Sequence, residues 1–218
     1  MGDAITEFIQ KLASVPSNAT LANHYAEEHP LHDLKGGAAI RRENLTRYLR
    51  RFADSPPGWM IVGEAAGYQG NRFSGIPFTS EYTLAHHPFF STGDFRRSSA
   101  RERIWREPSA SIVWEMMTSI QNHGLQIPML WGMLPFHPHK PGVALSNRTP
   151  TRAEATAGLE FFLALRRIFP RARLLAAGKI ASAGLSAAGF KHIPVRHPSH
   201  GGKKEFQAGV KLRVRSKD

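Results

Sequence analysis

A chain of 218 residues, 41% of them apolar, is long enough to bury one core without covalent staples. It contains no cysteine, which excludes disulfides, thiolate metal sites, cysteine nucleophiles and cysteine-ligated iron–sulfur clusters, and leaves any chemistry to oxygen and nitrogen groups. Lys and Arg number 29 against 17 Asp and Glu, a formal charge of +12 that favours a polyanionic partner, nucleic acid foremost.

Glu7, Lys11 and His24 interrupt every apolar run in the first thirty residues, so neither a signal peptide nor a membrane-length segment is read there and a soluble, cytoplasmic protein is expected. No repeat or low-complexity tract divides the chain. One domain over 1–218 is expected, with an N-terminal helical part over 1–55 and an α/β core over 58–205. Helices are predicted over 6–13 and 38–52, the second with Ile40, Leu45, Tyr48 and Leu49 on one face.

Continuous apolar runs at 59–63, 127–131 and 173–177, and a weaker one at 192–195, predict strands buried on both faces. Between them the residues 109–123, 151–168 and 180–188 read as helices, the second opened by the capping-box pattern Thr151-Arg-Ala-Glu154. Strands alternating with helices predict a three-layer α/β/α sandwich around a mostly parallel four-stranded sheet. Ligands of such sheets bind beyond the carboxyl ends of the strands, so the loops leaving those ends carry the candidate residues.

The first strand runs into Gly63-Glu-Ala-Ala-Gly-Tyr-Gln-Gly70 and then Gly75-Ile-Pro-Phe78. Small residues around one carboxylate let the backbone approach a flat ligand, on which Phe78 can stack; the same loop also reads as a phosphate cradle, and Glu64 also as a helix cap. Its spacing fits neither the dinucleotide fingerprint nor the P-loop.

The second strand leads into Trp131-Gly-Met-Leu-Pro-Phe-His-Pro-His-Lys140, where His137 and His139 are a poor metal set without a carboxylate and, with Lys140, read better as a rigid wall or a DNA contact. The last strand ends in Val195-Arg-His-Pro-Ser-His-Gly-Gly202, followed by Lys203. His197 stands at the strand exit, and Ser199, His200, Gly201 and Lys203 suit a DNA backbone. Arginines cluster at 41, 42, 47, 50 and 51 and again at 96, 97, 101, 103 and 106, and a third basic stretch runs from Lys203 to Lys217.

In this order the GEAAG, GIPF and HPSH segments resemble the uracil-DNA glycosylase superfamily, in the branches whose first motif is Gly-Glu, over residues 58–205. The resemblance implies base excision from DNA by a monomeric, monofunctional glycosylase without metal or cofactor. It gives Glu64 the activation of water or stabilisation of the sugar cation, Phe78 the stacking of the flipped base, and His197 a hydrogen bond to the departing uracil. Gly63, Ala65, Tyr68 and Gly132 would complete the uracil pocket, with Tyr68 excluding a 5-methyl group.

The chain departs from the superfamily's pattern in two places. Gly132 stands where the second strand usually ends in a uracil-reading asparagine, so a backbone group, a histidine or Gln69 would have to substitute. The four-cysteine cluster common beside a Gly-Glu motif has no ligands here. Two alternatives remain open on sequence alone: a catalytically inactive DNA-binding protein on the same scaffold, and a nucleotide or sugar-phosphate enzyme using the loop as an anion cradle.

Overall fold

The computed structural model describes residues 2–199 and 201–215. Helix α1 (Gly2–Ala13) precedes the short strand β1 (Leu21–Ala22), helix α2 (Gly37–Asp54) and strand β2 (Trp59–Ala65). A single helical turn, α3 (Asn71–Ser74), and α4 (Glu81–His86) follow, then a 3-10 turn (Pro88–Phe90) and helix α5 (Pro108–Gln121). The second half alternates strictly: β3 (Met129–Leu134), the two-residue β4 (His137–Pro138), α6 (Arg152–Ile168), β5 (Arg173–Ala177), α7 (Lys179–Ala187), β6 (Ile193–Val195) and α8 (Lys203–Arg215).

The main sheet has the order β3-β2-β5-β6, with every pairing parallel. Its centre falls where the sequence is continuously apolar: Met60, Ile61 and Val62 of β2 and Leu175 and Ala176 of β5 are fully buried. The β2-to-β3 crossover runs toward one edge of the sheet, whereas the β3-to-β5 and β5-to-β6 crossovers run toward the other. Right-handed connections therefore set α5 on one face and α6 and α7 on the opposite one, giving the three-layer sandwich.

Helix α6 starts as its sequence dictates. Thr151 accepts from the Glu154 amide and Glu154 accepts from the Thr151 amide, a reciprocal capping box. At the β3 edge of the sheet, the Tyr48 hydroxyl of α2 accepts the Leu130 amide at 2.7 Å.

The N-terminal part is tied to the core by a buried ion cluster. Asp33 accepts both terminal nitrogens of Arg72 at 3.1 and 3.0 Å and Nη2 of Arg41 at 3.2 Å, and Arg41 also donates to Ser98 and to the His24 and Glu27 carbonyls. Desolvation pushes the Asp33 carboxyl up, but Arg72 and Arg41 outweigh it and hold it below the usual carboxylate range. Arg41 therefore belongs to the core, so the arginine run at 41–51 is not one continuous exposed surface; Arg51 likewise lies over the Phe89 and Phe95 rings.

Candidate active site

Beyond the carboxyl ends of β2, β3 and β6 lies a cavity of about 380 Å³, within the ~300–1,000 Å³ typical of small-ligand sites. Gly63, Glu64 and Ala65 from β2, Phe78, Gly132 from β3, and His197 and Ser199 after β6 all line it. The parallel pairing of β2 with β3 puts Gly63 level with Gly132. Residues up to 136 positions apart in the chain, Gly63 and Ser199, thus meet at one place, because adjacent parallel strands end together.

The floor of the cavity depends on a missing side chain. A Cβ on Gly63 would stand 2.3 Å from Phe78 Cζ and 2.6 Å from Cε2, so the ring fills the space that any other residue at 63 would need. Phe78 holds φ at +52°, a left-handed conformation costly for a non-glycine residue and typical of functional loops. Two bonds from the Trp114 indole fix it, one to the Phe78 carbonyl at 3.1 Å and one to the Thr79 hydroxyl at 3.0 Å. The ring presents a flat apolar wall 6.4 Å, centroid to centroid, from the imidazole of His197.

His197 is oriented by its own turn. The Ser199 amide donates to His197 Nδ1 at 3.2 Å, which makes Nδ1 the acceptor and leaves the proton of the neutral ring on Nε2. Glu64 is half-buried, and desolvation raises its pKa above the ordinary value. A carboxylate poor in water, a hydrogen-bond donor and an apolar ring in one cavity are the parts needed to bind a flat heterocycle and move a proton beside it.

Other expected residues lie elsewhere. Tyr68 packs its ring edge-on against Trp105 and does not line the cavity, although its amide donates to the Asn147 side chain at 3.0 Å. His137 is fully buried and bonds the Ser146 carbonyl, and burial lowers its pKa to about 4; His139 is nearly as buried. Neither ring is exposed as a DNA contact would require: β4, which carries His137, is paired with β1, and the His139 amide donates to the Thr20 carbonyl. Lys140, Gly201 and Lys203 are exposed, Lys203 pairing with Glu115 at 2.7 Å, and His200 lies outside the described residues. Among the described residues no group of three or more histidines and carboxylates is placed to hold a metal ion.

Six lining residues have no counterpart in the motifs: Asn71, Glu107, Ser109, Asn147, Arg148 and Thr149. Arg148 is held by a two-pronged bond to Glu154 at 2.7 and 2.6 Å, so the capping residue of α6 also fixes the loop that brings Asn147 to the cavity. Glu107 reaches it on the segment before α5, which Glu81 anchors by accepting the amides of Ser98, Ser99 and Trp105.

The arrangement is a cavity at the carboxyl ends of a four-stranded parallel sheet in a three-layer sandwich. The structure is similar to the crystal structure of wild-type Pedobacter heparinus SMUG2, with a TM-score of 0.67 and 15% identity over 99% of this chain and 98% of that one. At that identity the likeness is one of fold. Neither a family model nor a curated protein matches the sequence.

Proposed function

We propose that this protein is a DNA glycosylase that removes uracil, and by extension other deaminated bases, by hydrolysing the N-glycosidic bond of an extruded nucleotide. The observation that carries this reading is the joint placement of Glu64, Phe78 and His197 around one cavity, with Phe78 seated on Gly63. The likeness of fold to SMUG2 and the charge of +12 support it.

In this mechanism the flipped base stacks on Phe78. The C1′–N1 bond breaks heterolytically and its electron pair leaves with the base, while Nε2–H of His197 donates to a base carbonyl on which negative charge develops. Water adds its oxygen to the sugar cation at C1′ and gives a proton to the Glu64 carboxylate. All of these steps use side chains of the chain itself, in a soluble, intracellular protein acting on DNA.

The test is incubation, in EDTA, of the wild-type protein and Glu64→Gln with end-labelled oligonucleotides carrying one uracil, single-stranded or opposite guanine or adenine. Alkali-labile cleavage by the wild type, reduced about 100-fold or more in Glu64→Gln, is the expected outcome. No cleavage by the wild type on any uracil substrate sinks the assignment.

A further inference from the structure

The carboxyl of Glu107 and the amide of Asn147 flank one point of the glycine loop after β2. A Cβ on Gly67 would stand 3.0 Å from Glu107 Oε1 and 3.7 Å from Asn147 Nδ2, and one on Gly70 would stand 2.3 Å from Glu107 Oε2. The loop passes this close only because it has no side chains there. Asn147 lines the cavity, its Oδ1 accepts the Tyr68 amide and its side chain also meets His137, and Nδ2 is its donor group. The residue Glu107 is partly exposed, but its carboxyl is tucked under the loop beside Ser109; that burial pushes its pKa up to about 7. Near neutrality the group therefore offers both an acceptor oxygen and an acid proton.

The edge of an imide base presents one N–H between two carbonyl oxygens, and reading it takes an acceptor next to a donor. The end of β3 supplies no side chain for this, because Gly132 has none. Arg148 is committed to Glu154, and the reaction assigns Glu64 to water and His197 to the departing carbonyl. Asn71 Oδ1 accepts from the Tyr25 hydroxyl, and Ser109 and Thr149 carry only a hydroxyl each, whereas Glu107 and Asn147 set complementary groups side by side in the lining.

We propose that Glu107, paired with the Asn147 amide, reads the hydrogen-bonding edge of the extruded base, its carboxyl accepting the imide N–H while the amide donates to the neighbouring carbonyl. The assignment rests on the cavity being a base pocket, and it makes Glu107 a specificity-determining residue.

The experiment measures equilibrium binding in a Glu64→Gln background, where substrate is not consumed. The probes are fluorescein-labelled single-stranded oligonucleotides carrying either one deoxyuridine or one tetrahydrofuran abasic analogue. Adding Glu107→Ala is expected to reduce the preference for uracil over the abasic analogue about 10- to 100-fold, and adding Glu107→Gln instead, which keeps an acceptor and a donor, restores it. Abasic-site affinity stays unchanged in all three proteins. An unaltered preference in Glu107→Ala, a parallel loss of abasic affinity, or no preference for uracil in the Glu64→Gln parent each overturns the proposal. Failure of the glycosylase reading is seen separately, as absent cleavage by the wild type.

Discussion

The indole of Trp114 grips the backbone of Phe78, donating to its carbonyl at 3.1 Å while the residue holds a left-handed φ of +52°. The bond ties α5 to the stacking ring. Trp114→Phe keeps an aromatic core side chain but removes the donor, leaving the buried Thr79 hydroxyl and the Phe78 carbonyl to find other partners. A loss of about 1–3 kcal/mol in urea unfolding is expected, together with a larger fractional loss in uracil excision than Phe78-independent DNA affinity shows. Unchanged excision with lowered stability would mean that the ring holds its place without the indole.

Gly63→Ala places a methyl group where the Phe78 ring lies. The ring must swing away, at a cost of about 1–3 kcal/mol for overpacking, and the base loses its platform. Excision should fall by an order of magnitude or more while circular dichroism stays that of the wild type; activity within twofold of wild type would remove Phe78 from the site.

Asp33→Asn leaves Arg41 and Arg72 charged in the interior without the carboxylate they share. Breaking such a cluster by removing one partner costs roughly 3–5 kcal/mol. The denaturation midpoint should drop accordingly at pH 7. Because the Asp33 carboxyl is held below its ordinary value, its contribution is present above pH 4 and disappears as the pH falls further, so the variant and the wild type converge only in strong acid.

A second acid sensitivity appears at milder pH. Burial holds His137 neutral down to about pH 4, and it lowers His24 well below its usual value, with Arg41 and Arg72 adding to the effect. The unfolded chain takes up these protons near pH 6.5, so stability is full above that pH and falls as the pH drops toward 4. His137 alone should cost on the order of 2 kcal/mol at pH 5. Thermal melts of the wild type and His137→Asn across pH 7 to 4.5 check this, and parallel slopes would refute it.

Periodicity and caps made the sheet and most of its helices legible. The apolar run at 173–177 is β5 to the residue, and Thr151 to Glu154 opens α6 as read. Local pattern failed where distant partners decide. Strand β4 exists only because Leu21 and Ala22 pair with Pro138 and His137, and the basic stretch after Lys203 is helix α8, anchored by buried Phe206 and Val210 beneath its charged face.

The site divides in the same way. Glu64, Phe78, Gly132 and His197 lie at strand exits or on a short motif, positions that a sequence displays. Glu107 and Asn147 come to the cavity from segments 40 and 80 residues beyond Gly67 in the chain. What brings them there is the glycine loop's lack of side chains and the Arg148–Glu154 bond, and neither leaves a spacing signal.

The Tyr48 hydroxyl at β3 bears on whether copies of this protein can join edge to edge. It occupies an amide that would otherwise be free to recruit a foreign strand, and the opposite border of the sheet is the three-residue β6 with Pro194 at its middle. Neither border offers a ladder that another chain can extend. Copies of the chain can therefore be concentrated together without zipping into a common sheet.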